Sequence, residues 1–213
     1  MENHVQAIQE IKSMMERSSR FISLSGLSGV SAGIFATLGA LAAYWYLGTF
    51  PHETVTFEIA YRGDVLNGDL IIFFLLDAFC VLTLSIFSGV FFTVKKTKNH
   101  QLPVWTNASR SMVFSLLVPL ITGGVVSLIL VYQHLLILIA PIMLIFYGMA
   151  LINASKYTLK DVYILGVIEM ILGLLALIFL GYGLLFWTIG FGLLHIFYGA
   201  IMYLKYDFKA VSR

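Results

Sequence analysis

Six apolar runs, each long enough to cross a bilayer as a helix, divide this chain and dictate its fold class. They fall at Phe21–Leu47, Leu70–Val94, Met112–Tyr132, Leu135–Leu151, Val162–Leu180 and Leu184–Leu204. A spanning helix needs roughly 17–25 residues. In lipid every backbone N–H and C=O must find a partner inside the protein, so segments of this length cross as helices. The expected fold is all-α, with six transmembrane helices. Composition points the same way, because only 11% of the residues are charged and 60% are hydrophobic. A soluble domain carries about a quarter charged residues to cover its surface. Before the first run, residues 1–20 are too polar for a cleavable signal, and the run itself is too long for one.

The linkers set the connectivity. Gln133–His134 joins spans three and four, and "GYG" at 181–183 joins spans five and six. Such short turns predict antiparallel helical hairpins, and the chain is expected to form three in tandem. Lysine and arginine set the orientation. With a cytoplasmic N-terminus, the inside segments hold Lys12, Arg17, Arg20, Lys95, Lys96, Lys98, Arg110, Lys156, Lys160, Lys205, Lys209 and Arg213. The outside segments hold Arg62 alone, so both termini are expected in the cytoplasm. Tyr44, Trp45, Tyr46, Tyr132, Tyr182 and Trp187 then form an aromatic belt at the outer boundary.

Among the segments outside the spans, three have a character of their own. Within the cytoplasmic segment 1–20, residues 3–17 place Val5, Ile8, Ile11 and Met15 at helical spacing, which predicts an amphipathic helix on the inner membrane surface or a cytoplasmic extension of span one. The outer loop 48–69 alternates Val55, Phe57, Ile59 and Tyr61, a pattern that suits a short strand or an ordered cap. Residues 207–213 form a basic cytoplasmic tail. The "NAS" sequons at Asn107 and Asn153 fall on the cytoplasmic side and are not expected to be glycosylated.

The even spans share a pattern: "SIFSGVFFTVKK", "LIFYGMALINASK" and "HIFYGAIMYLKY". Gly89, Gly148 and Gly199 correspond, and Gly33, Gly123 and Gly173 recur in the middle of the odd spans. This register predicts a parallel repeat about an axis along the membrane normal. The last hairpin, "LGVIEMILGLLALIFLGYGLLFWTIGFGLLHIFYGAIMY", resembles the hairpin unit of the acid-resistance membrane protein family of bacteria. The likeness covers mainly residues 110–206. It implies six spans built from glycine-punctuated hairpins and a bacterial inner-membrane location. The opening "MMERSSRFISLSGLSGVSAG" resembles a group of small uncharacterised bacterial membrane proteins.

That opening also contains G-x-S-G at Ser28 and G-x-S-x-G at Ser31. A nucleophile elbow needs a strand before its serine, and here the motif sits in an apolar helix. An intramembrane dyad of Ser28 with His195, at similar depth, is the protease reading. Packing accounts for more residues. Ser25, Gly29 and Gly33 form one row of small side chains, and Ser28, Ala32, Ala36 and Ala40 form another beside it. Such a face lets helix backbones approach closely in lipid, within the chain or against a second copy.

Asp77, Glu169 and His195 are the ionisable groups within the spans, and a charge there is expensive enough to mark a candidate site. Glu169 lies 13 residues before Tyr182 and His195 lies 13 after it, so the two stand at one level of the hairpin. Such a pair can relay a proton, because histidine titrates near physiological pH, or it can clasp two helices. Asp77 sits nearer the outside, where Arg62 or solvent is its expected partner. Cys80 is the one cysteine, so no internal disulfide and no cysteine cluster forms. No His-x3-His pair, P-loop or dinucleotide fingerprint is present, and no metal, cofactor or nucleic acid is expected.

The expectation is a non-enzymatic inner-membrane protein with a structural, interaction or stress-response role. Its partners are the bilayer and, at the basic inner face around Trp105, anionic lipid or a cytoplasmic protein. A small proton-coupled transporter or channel using Glu169 and His195 is the alternative, and the protease is third.

Overall fold

A computed structural model describes residues 21, 24–48, 68–99 and 101–208. The segment 1–20, the alternating residues of the 48–69 loop, and the last five residues lie outside the described residues. Six helical spans are present: α1 (Gly26–Leu47), α2 (Gly68–Asn99), α3 (Asn107–Tyr132), α4 (Leu136–Tyr157), α5 (Lys160–Ile178) and α6 (Gly183–Asp207). All six are long and apolar enough to cross a membrane, and no strand occurs among the described residues.

Two spans depart from the boundaries that hydropathy alone sets. Helix α2 is 32 residues long and continues past Val94 through Lys95–Asn99. Lys96, in this extension, has partners at the bundle end. Helix α6 is not a uniform α-helix. It is α-helical over Gly183–Trp187, π-helical over Thr188–Leu194, α-helical over His195–Met202 and π-helical again over Tyr203–Phe208. Gly190 and Gly192 weaken the first of these π stretches, since glycine is the poorest helix former after proline, and π-turns inside helices cluster at functional sites.

Helix α5 packs most extensively on α4, while most of α6 packs on α1. The first turn of α6 touches α4 and α5, after which the helix crosses to α1. Helix α2 packs chiefly on α1, and α3 on α4. The "GYG" turn therefore joins two helices whose main neighbours lie elsewhere. It is tight enough to need Gly181 at φ 92°, a left-handed value that costs glycine nothing.

The two central interfaces share one device. A Cβ on Gly33 would stand 2.6 Å from the Gly192 carbonyl oxygen, and one on Gly26 would stand 2.5 Å from that of Gly199. A Cβ on Gly173 would likewise stand 2.9 Å from the Pro141 carbonyl oxygen, and one on Gly166 would stand 2.8 Å from that of Gly148. In each pair the contacts are seven residues apart on both helices and antiparallel in register. Backbones meet where side chains are absent, which is how helices associate when lipid supplies no hydrophobic drive.

The end of the bundle where α1 begins is tied by polar contacts. Asp207 accepts from the backbone N–H of Gly26 at 3.1 Å and from the Ser25 hydroxyl at 3.2 Å. It also pairs with Lys96 at 2.5 Å, while Lys96 donates to the Leu24 carbonyl at 2.9 Å. On the other side of α6, Asp161 accepts from Lys205 at 2.9 Å and from the Tyr206 hydroxyl at 2.7 Å. Phe21 is held to the α4–α5 connection: its N–H donates to the Tyr157 carbonyl and its own carbonyl accepts from Thr158, both at 2.7 Å.

The outer surface is apolar all round. Leu38, Phe79, Val118, Ile178 and Phe197 are among its exposed residues. An apolar surface of this extent has a counterpart in lipid and none in water. The described residues form the all-helical bundle of a polytopic membrane protein.

Candidate functional site

The polar site lies at the centre of the bundle, and three helices build it. Glu169, on α5, is 0% exposed, and His195, on α6, is 6% exposed. The shared level expected from the sequence brings them together, with His195 Nδ1 3.4 Å from Glu169 Oε1. The imidazole bonds elsewhere. Nδ1 lies 2.9 Å from the Gly190 carbonyl oxygen, and Nε2 lies 2.7 Å from the Tyr147 hydroxyl of α4. A neutral ring protonated on Nδ1 satisfies both contacts: Nδ1–H donates to Gly190, and Nε2 accepts from Tyr147 O–H.

Local structure explains this arrangement. Gly190 stands five residues before His195, inside the π-helical stretch, where its carbonyl meets the imidazole. Its missing side chain makes room for the carboxyl, because a Cβ there would collide with Glu169 Oε2 and stand 2.6 Å from Leu144 Cδ2. Because Nδ1–H is aimed at Gly190, Glu169 lies at ion-pair distance without receiving a hydrogen bond. Neither of its buried carboxyl oxygens has a hydrogen-bond partner among the described residues. Phe191 stacks on the same ring, with centroids 6.1 Å apart, and closes the site on that side.

The other expected site residues lie elsewhere. Asp77, half-buried on α2, faces α1, where its carboxyl oxygens stand 3.2 and 3.3 Å from the place of a Gly39 Cβ. Its expected partner Arg62 lies outside the described residues. The Ser28–His195 dyad does not form. The Ser28 hydroxyl donates back to the Ser25 carbonyl at 2.5 Å, and Ser28 lies on the side of α1 that meets Gly89 of α2. Both His195 nitrogens are occupied by Tyr147 and Gly190. Ser31 donates to Ser88 of α2 at 3.0 Å. Gly29 and Gly33 meet α6, and Ser25 bonds Asp207 there. Ala36 and Ala40 are buried, while Ala32 is partly so. The small face of α1 is thus spent within the chain, on α2 and α6. No three His, Cys, Asp or Glu side chains among the described residues are placed to hold a metal ion.

Sequence reasoning missed Tyr147 and Gly190. The signal for Tyr147 was present in the repeat, since "LIFYG" and "HIFYG" place Tyr147 and Tyr198 at equivalent positions. Nothing in the sequence pairs Tyr147 with His195. No protein-family model, curated protein or solved structure matches the chain.

Proposed function

We propose that this protein is a non-enzymatic scaffold or interaction protein of a bacterial inner membrane. It is built as three helix–turn–helix pairs in tandem, the last of which opens so that α6 packs on α1, with both termini and the basic end of the bundle in the cytoplasm. The observation that carries this reading is the closed interior. Glu169, Leu144 and Ala176 are 0% exposed, and the space beside Gly190 is filled by a side chain of the same protein. A substrate has no room there. The Glu169–His195–Tyr147 group then serves to clasp α4, α5 and α6. Recognition falls to the basic end, where Lys95, Lys98, Lys156, Lys160 and the exposed Trp105 suit anionic lipid or an acidic protein surface. The likeness of residues 110–206 to the acid-resistance family belongs with this reading as a stress-response role.

A proton-coupled transporter is the second reading. The unpartnered oxygens of Glu169 and the π-helical stretch before His195 favour it. Liposomes containing the purified protein separate the two under an imposed pH gradient. The scaffold reading expects no proton flux above protein-free vesicles, together with a lower melting temperature for His195→Ala. Flux that Glu169→Gln abolishes would transfer the assignment to the transporter.

A further inference from the structure

We propose that Glu169 is a proton-binding site, holding one proton as a neutral carboxylic acid in the middle of the bundle. The inference stands whether the protein moves protons across the membrane or only holds this one.

Two observations carry it. The first is a hydrogen-bond inventory. Glu169 is fully buried, and neither carboxyl oxygen has a hydrogen-bond partner among the described residues. An ionised carboxylate in that state is among the costliest groups a protein can bury, whereas a neutral acid is tolerated. The second is the surroundings. The titratable groups around it are His195 from α6 and Tyr147 from α4, and Tyr198 of α6 stands beside Tyr147 rather than beside the carboxyl. The imidazole, as a neutral ring, already spends both nitrogens on Gly190 and Tyr147, so it supplies no compensating cation. Lys205, farther along α6, is paired with Asp161.

Infrared spectroscopy of the purified protein at neutral pH tests this directly. The expected result is a protonated-carboxyl carbonyl band that is absent in Glu169→Gln, kept in Asp77→Asn and Asp161→Asn, and shifted by heavy water. Absence of a band belonging to Glu169 overturns the site. If a variant fails to fold, carbon-13 labelling of the wild-type glutamates assigns the band to glutamate without substitution. A glutamate present only as carboxylate then overturns the proposal.

Discussion

At the residue scale, the central site depends on what is missing as much as on what is present. Gly190 leaves the space that the Glu169 carboxyl fills, so Gly190→Ala forces the carboxyl or Leu144 aside. Overpacking of this kind costs about 1–3 kcal/mol, and a lower melting temperature in detergent would register it. Tyr147→Phe keeps the ring but removes the hydroxyl on His195 Nε2. The buried nitrogen then has no partner, with an expected loss of about 1–3 kcal/mol. Chemical unfolding of the same samples checks it, and an unchanged midpoint would mean that the bond contributes nothing. Equal spacing from Tyr182 placed Glu169 and His195 at one level, and that much was legible. Residue counting along a helix gives height at about 1.5 Å per residue. It does not say which way a side chain faces once part of α6 is π-helical, so the Gly190 contact was hidden.

At the element scale, the glycines divide by what lies opposite them. Gly148 faces the backbone of α5, whereas a Cβ on Gly89 would meet only Ser28 Cβ, 4.0 Å away. The three repeat positions are thus alike in sequence and unlike in use. Gly148→Leu should separate α4 from α5 and cost more than about 3 kcal/mol, while Gly89→Leu should change stability by less than about 1 kcal/mol. Thermal melts of the two variants make the comparison, and equal losses would count against backbone contact as the basis of the interface. The π-helical end of α6 has its own consequence. Lys205 and Tyr206 turn to α5, while the next residue, Asp207, turns to α1 and α2. Three successive side chains therefore serve three neighbouring helices.

At the scale of the whole molecule, the ends of the spans differ in kind. Lys95, Lys96, Lys98, Arg110, Lys156, Lys160 and Lys205 all fall at the end where α1 begins, and Gln133–His134 lies at the other. The positive-inside rule then predicts sidedness. In a Cys80→Ser background, a cysteine at Lys156 should resist a membrane-impermeant thiol reagent on intact cells, and one at Gln133 should react. The opposite labelling would invert the orientation. What the sequence determined by itself is the solvent and the class. Run length and scarce charge demand six spanning helices, because lipid leaves no other way to pair the backbone. The tertiary structure decided which helices are neighbours, with α5 on α4 and α6 on α1 despite the short turn between α5 and α6. Helices that are apolar on every side carry no polar face to say where they pack. Their partners are chosen by shape instead, by where two glycine-lined backbones can touch, and that match exists only once both helices are in place.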